Sequence, residues 1–332
     1  MRSVFFCIDG HTAGNPVRLV VGGAPFLNGA NMSERRQDFL ARYDWMRLGL
    51  MFEPRGHDMM SGGFVFPPID PANDAAILFI ETSGCLPMCG HGTIGMVTFA
   101  LEHGLVRPRM PGRLSIEVPA GLIGIDYTTR EDKVTSVTIR NVPSYVAAKG
   151  VEIDVPGLGP LVVDVAYGGN FYAIIEPQGA YTGIDQLGAA QILSLSPVVR
   201  TLMRNAVKPV HPLDPTIRGV SHVMWADKPK GDGADGRNAV FYGDRAIDRS
   251  PCGTGTSARL AHLAAQGKLK AGDQFVHESI IGSRFIGRVL QTVDLGGTTA
   301  IIPSIEGSAF TTGFNTLWID PSEPFPTGFQ VV

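Results

Sequence analysis

Cys89 and Cys252 each open the same short motif: Cys89-Gly90-His91-Gly92-Thr93 and Cys252-Gly253-Thr254-Gly255-Thr256. A thiol followed at once by glycine fits the first residue of a helix. There the leading N–H groups have no partner within the helix and carry the positive end of its dipole. That field favours thiolate over thiol. The glycines let a ligand approach the backbone closely. The N–H groups of Gly90, His91, Gly253 and Thr254 then form cradles for an anion, and a substrate carboxylate is a natural guest. Two such thiols on opposite sides of one α-carbon can do one thing well. One removes the α-proton and the other supplies a proton to the far face, which inverts the centre with no cofactor. Other chemistry fits the residues less well. Cys85, Cys89 and His91 lack the paired spacing of a four-ligand zinc site, so no metal is expected. Gly90-His91-Gly92-Thr93 lacks the Gly-Lys-Ser/Thr ending of a phosphate loop. A single such cysteine would more simply be a buried hydrophobe, but the motif occurs twice.

The elements around the cysteines also occur twice. An apolar run follows each one, Met96–Leu101 and Leu260–Ala265, and stops at Gly104 and Gly267 respectively, after equal lengths of chain. Each predicts a helix of about three turns with a glycine C-cap, apolar nearly all round and therefore buried. Strand-like runs lead in, Ala76–Ile80 and Ala239–Tyr242. Further upstream, Ile8–Val20 resembles Val165–Ile175, with Asn15 and Asn170 in corresponding places. Leu114–Tyr127 and Phe275–Leu290 read as strands again. The repeat predicts two similar α/β (α+β) domains, 1–145 and 146–309, each a curved, mostly antiparallel sheet around a central helix. The last segment, 310–332, returns to the first domain, and the active site lies in the cleft between the two. His11 and Asn15 read as fixing a turn after a strand; His57 and Asp58 read either as structural or as shaping a pocket entrance.

A chain of 332 residues with 44% hydrophobic and 18% charged residues is long enough for two cores. Its 41 glycines and 24 prolines favour turns and short strands over a helical bundle. A net charge of -3 offers no basic face for nucleic acid. No stretch has the apolar length of a signal peptide core or a membrane span, so the expected location is the cytoplasm. Four cysteines are too few to staple a chain of this size.

With both cysteine motifs in view, the chain resembles the proline racemase family, nearest its hydroxyproline 2-epimerase branch. The likeness runs through Asp9–Pro16, Glu53–Met59, Met88–Gly95, Asp248–Thr256, Pro303–Gly307 and Thr312-Gly313. It implies a fold like diaminopimelate epimerase, a homodimer, and Cys89 and Cys252 as the acid/base pair. It implies carboxylate contacts from Gly90, His91, Gly253 and Thr254. By place in the motif, Asp248 would hold the substrate's ring ammonium, and His222 would line the pocket. Simpler readings are a turn residue for Asp248 and a satisfied core histidine for His222. Ala13 departs from relatives that carry cysteine there. The expected reaction is epimerisation at C2, between trans-4-hydroxy-L-proline and cis-4-hydroxy-D-proline. The rivals are a proline racemase, a trans-3-hydroxy-L-proline dehydratase, and a thiol redox or ligand-binding module without turnover. Related dehydratases replace one of the two cysteines; both are present here.

Overall fold

A computed structural model describes residues 2–331, and the chain divides into two compact units. Unit 1 holds residues 1–139 and 307–332; unit 2 holds Arg140–Glu306. Asn141 N and Ser144 N donate to the carbonyls of Pro303 and Ile301, so 141–144 belongs with the second unit and the division falls earlier than residue 145.

In unit 1 the order is β1 (Ser3–Thr12), β2 (Asn15–Gly22), α1 (Met32–Arg42), α2 (Asp44–Met51), β3 (Ser61–Phe66), β4 (Ala75–Glu81), α3 (Gly90–Glu102), β5 (Arg113–Val118), β6 (Gly121–Arg130) and β7 (Lys133–Arg140). Unit 2 continues with β8 (Tyr145–Val155), β9 (Gly159–Tyr167), β10 (Phe171–Ile175), α4 (Ile184–Ala206), β11 (Val220–Asp227), β12 (Gly236–Tyr242), β13 (Ala246–Ile247), α5 (Gly253–Ala265), β14 (Gln274–Glu278), β15 (Arg284–Leu295) and β16 (Thr298–Gly307). The chain then returns to unit 1 as β17 (Ala309–Ile319), antiparallel to β1.

The repeat is visible in the pairing. In unit 1, β1–β2 is antiparallel, β2–β3 parallel, β3–β4 antiparallel, β4–β5 parallel and β5–β6 antiparallel. In unit 2 the same alternation runs through β9–β10, β10–β11, β11–β12, β12–β14 and β14–β15. Each parallel pair needs a crossover, because a tight turn can join only antiparallel neighbours. α3 and α5 are the second crossovers of their units. α3 packs on β1, β2, β3 and β17, and α5 on β8, β9, β10 and β15.

Both helices are 13 residues long. They are enclosed by apolar strands, so α3 is buried from Gly90 to Ala100 and α5 from Gly253 to Leu263. Each ends the same way. Gly104 (φ 66°) donates to Leu101 O while Leu105 N donates to Ala100 O; Gly267 (φ 71°) donates to Ala264 O while Lys268 N donates to Leu263 O. These are paired Schellman closures, which require a left-handed residue after the helix. The β9–β10 turn lies so close to α5 that a Cβ on Gly168 would meet Thr254 O at 2.2 Å. Asn141 holds that contact, its Nδ2 donating to Gly168 O and Ser257 Oγ, both at 2.9 Å. On the other side of the unit 1 sheet, α1 and α2 bury Phe39, Leu50 and Met51 against Phe5, Phe64 and Leu78. Among the described residues no helix is long and apolar enough to cross a membrane.

Candidate active site

In unit 1, β4 delivers the chain through a short loop to Cys89, the N-cap of α3. Cys89 is buried, and its Sγ accepts a hydrogen bond from Gly92 N at 3.3 Å. The thiol thus takes the position that serine or aspartate usually holds at a helix start. Thr93 closes the turn, donating from Oγ1 to Cys89 O at 2.7 Å. Both ring nitrogens of His91 lie near Cys89 Sγ, at 3.8 and 3.9 Å. Its Nε2 is 3.0 Å from both Asn15 Nδ2 and Ser61 Oγ, and its carbonyl accepts from Thr12 Oγ1 at 2.8 Å. The tautomer in which Asn15 donates to Nε2 puts the ring proton on Nδ1, 3.8 Å from the sulfur. The β1–β2 hairpin and β3 therefore orient His91.

Glu81, the last residue of β4, adds a buried carboxyl group. Its oxygen, Cys89 Sγ and a His91 nitrogen all lie within 4.8 Å of one another. Glu81 Oε2 accepts from Ser83 Oγ, and Oε1 is buried without a hydrogen-bond partner among the described residues. Three donors of these types could approach a cation, but His91 Nε2 is already engaged by Asn15 and Ser61. Cys85 is not in this group, and burial pushes its thiol up to about 12. Burial does the same to Cys7, also up to about 12. Both stay protonated and unreactive at neutral pH.

In unit 2 the corresponding cysteine is held differently. Cys252 precedes α5 with φ 63° and ψ 110°, a region that non-glycine residues rarely occupy. Such strain, of order 1–3 kcal/mol, persists only where the surroundings enforce it. Two short turns do so here: Asp248 Oδ1 accepts from Ser250 N at 2.8 Å, and Ser250 Oγ accepts from Cys252 N at 3.1 Å. Asp248 is buried and its own N–H is tied to Val240 O. Cys252 Sγ makes no cap bond to its helix; it lies 3.3 Å from the Tyr172 hydroxyl. That hydroxyl is 2.5 Å from Thr254 Oγ1, which also accepts from Asn170 Nδ2 at 3.3 Å. The β10–β11 register sets Tyr172 beside His222, and their rings stack with centroids 4.7 Å apart. His222 Nδ1 is 2.7 Å from Ser221 Oγ.

Unit 1 thus brings Cys89, Gly90 and His91 together. In unit 2, Cys252, Thr254 and His222 gather around Tyr172, with Asp248 and Gly253 on the same loop and helix start. His11 fixes a turn, its Nδ1 accepting from Gly14 N at 3.3 Å. Asn15 does more than fix a turn, since it reaches His91. Asp58 accepts from Gln330 Nε2 at 2.8 Å, a bond within unit 1. Tyr172, Ser250 and Ser61 escaped the sequence reading. Tyr172 alone had a signal: it lies two residues past Asn170 in the repeated segment, on the same side of an extended chain.

The proline racemase family model matches residues 7–330 of this chain. A 4-hydroxyproline epimerase of Brucella ovis is 59% identical over 330 residues, 99% of either chain. A 4-hydroxyproline 2-epimerase of Shewanella loihica is 58% identical over 332 residues, the full length of both. A solved hydroxyproline epimerase from Agrobacterium vitis, with trans-4-hydroxy-L-proline bound, superposes with a TM-score of 0.90 at 31% identity, covering 99% of this chain and 95% of that one. With the family model spanning nearly every residue and both cysteine motifs in place, this chain is a member of the proline racemase family.

Proposed function

We propose that the protein is a 4-hydroxyproline 2-epimerase, interconverting trans-4-hydroxy-L-proline and cis-4-hydroxy-D-proline by proton transfer between two thiols. The observation that carries the reading is the doubled cysteine at the start of a buried helix, in a chain 59% identical over its length to a 4-hydroxyproline epimerase. Cys89 and Cys252 are the acid/base pair. The N–H groups of Gly90, His91, Gly253 and Thr254 bind the substrate carboxylate, and Asp248 pairs with the ring ammonium. As one thiolate takes the C2 proton, negative charge spreads onto the carboxylate, where fixed helix N–H donors stabilise it; each such donor is typically worth about 3–4 kcal/mol. The other thiol then gives its proton to the opposite face. Atoms balance without electron transfer, so the chemistry calls for no cofactor. His222 lines the pocket on the second side.

A cytoplasmic location suits two catalytic thiols that must stay reduced. A homodimer follows from the family resemblance. Incubation of trans-4-hydroxy-L-proline with enzyme in D2O tests the activity. Deuterium at C2 and cis-4-hydroxy-D-proline on a chiral column are expected; the absence of both ends the reading. Comparing kcat/KM for hydroxyproline and proline separates it from a proline racemase, and an imine product would instead mark a dehydratase. A complex with planar pyrrole-2-carboxylate tests the geometry, which requires a sulfur on each side of one carbon.

A further inference from the structure

The two thiols sit at corresponding places in the repeat, yet their hydrogen-bond partners differ. Cys89 is capped by its own helix at Gly92 N and faced by His91, which Asn15 orients. Cys252 has no cap bond to its helix, and its sulfur faces a phenol. That phenol is the end of a chain. Asn170 Nδ2 donates to Thr254 Oγ1, Thr254 Oγ1 can donate to Tyr172 Oη, and Tyr172 can donate to Cys252 Sγ. Asn15 and Asn170, at corresponding places, thus anchor both arrangements, through one histidine in the first unit and through a threonine and a tyrosine in the second.

We propose that Tyr172 is a positioning residue for the second thiol: its hydroxyl donates to the Cys252 sulfur while that sulfur is anionic, and turns to Thr254 Oγ1 when the sulfur carries a proton. This deepens the two-thiol reading and rests on it. No covalent bond to Tyr172 changes, because only the hydroxyl rotates. Burial raises the phenol well above its ordinary range, and the neighbouring Cys252 raises it further, so Tyr172 keeps its proton and remains a donor. The titratable groups facing this pair are His222, stacked on Tyr172 from β11; Tyr242, stacked beyond His222 from β12; and Asp248, on the loop before α5. The Tyr172 hydroxyl is 3.3 Å from the sulfur, within hydrogen-bonding reach. A hydrogen bond to an ionised group is roughly twice as strong as a neutral one, so it favours thiolate at Cys252 and leaves Cys89 untouched.

The test follows iodoacetamide labelling of Cys89 and Cys252 across pH by peptide mass spectrometry, on substrate-free full-length enzyme. It compares wild type, Tyr172→Phe and Thr254→Val, with folding checked by circular dichroism. Tyr172→Phe keeps the ring and its stacking on His222. It should move the Cys252 labelling midpoint up by about one pH unit, about tenfold less thiolate on the acid side, with the Cys89 midpoint unmoved. Thr254→Val should move Cys252 in the same direction by less, and Tyr172→Phe should lower kcat more than it changes KM. An unmoved Cys252 midpoint in Tyr172→Phe, or equal shifts at both cysteines, overturns the proposal. An unmoved midpoint in Thr254→Val overturns its threonine arm. Labelling does not depend on turnover, so a wild-type enzyme without epimerase activity would sink the functional reading and leave this result legible.

Discussion

Cys89 and Cys252 share a Cys-Gly-x-Gly-Thr pattern in sequence but not their surroundings in space. Cys89 takes the extended conformation common to N-caps; Cys252 is forced to φ 63° by Asp248 and Ser250. Replacing either thiol by a hydroxyl keeps the size and removes a group that can hold and release a proton near neutral pH. Cys89→Ser and Cys252→Ser should each lower kcat for epimerisation by about 10²–10⁴-fold, with circular dichroism unchanged. The glycine three residues past the first thiol is nearly as constrained. A Cβ on Gly92 would lie 2.8 Å from Cys89 Sγ. Sulfur must then leave the helix axis, so Gly92→Ala should lower kcat strongly while helix content holds or rises. At this scale the sequence displayed the cysteines and their glycines because the motif is contiguous and doubled. Tyr172, Ser250 and Ser61 stayed hidden, because their roles come from strand register and turn geometry that bring distant positions to one atom. For Tyr172 the repeat gave only its side of the strand, two residues past Asn170; that its hydroxyl faces a sulfur depends on where the start of α5 is packed.

The helices behind the thiols were legible almost to the residue. Their apolar run, small residues and terminal glycine all favour one buried crossover helix, and both end in the closure expected of glycine. Gly267 has open space where a Cβ would go, so substitution there isolates backbone strain from collision. Gly267→Ala should cost about 1 kcal/mol in urea denaturation, from the left-handed conformation alone, with kcat changed less than twofold. Other elements were less readable. α4, Ile184 to Ala206, is two helices that meet at a kink at Gly188 (φ 65°), and the second runs on past Pro197, which argues against a helix in isolation. That second stretch persists because Ile192, Val199 and Met203 bury one face and Ser196 receives the Trp225 indole N–H at 2.8 Å. Tertiary packing overrides local propensity there.

For the whole chain, acid sensitivity should come from the second unit. His277 is buried on β14, with Nδ1 2.9 Å from Thr256 Oγ1, and burial, aided by Arg259, lowers its pKa to about 3. His262 on α5 is lowered in the same direction, mainly by burial. A histidine that resists protonation only when folded makes the unfolded state the stronger proton binder below its ordinary pKa. Stability from His277 is therefore complete above about pH 6.5 and is lost as pH falls from there towards 3, by up to about 1.4 kcal/mol per pH unit. Urea midpoints measured between pH 7 and pH 5 should fall in wild type, and fall less steeply in His277→Asn. The doubled architecture itself was evident from the repeat, because two copies of one pattern report the same pairing order. The place where the chain passes from one unit to the next was harder to read, since backbone bonds from Asn141 and Ser144 to β16 decide it and no composition shift marks them.

β17, the last strand among the described residues, belongs to the first unit. β17 pairs with β1 along ten registered positions, from Ser3–Ile319 to Thr12–Ala309. On the ribosome, β1 therefore emerges early and stays without that neighbour while all of Arg140–Glu306 is translated. Unit 2 is contiguous, so it can reach its native state during synthesis, before unit 1 has the strand that covers β1. Any delay late in elongation prolongs the exposure of a bare sheet edge, which is where a nascent chain most needs a chaperone.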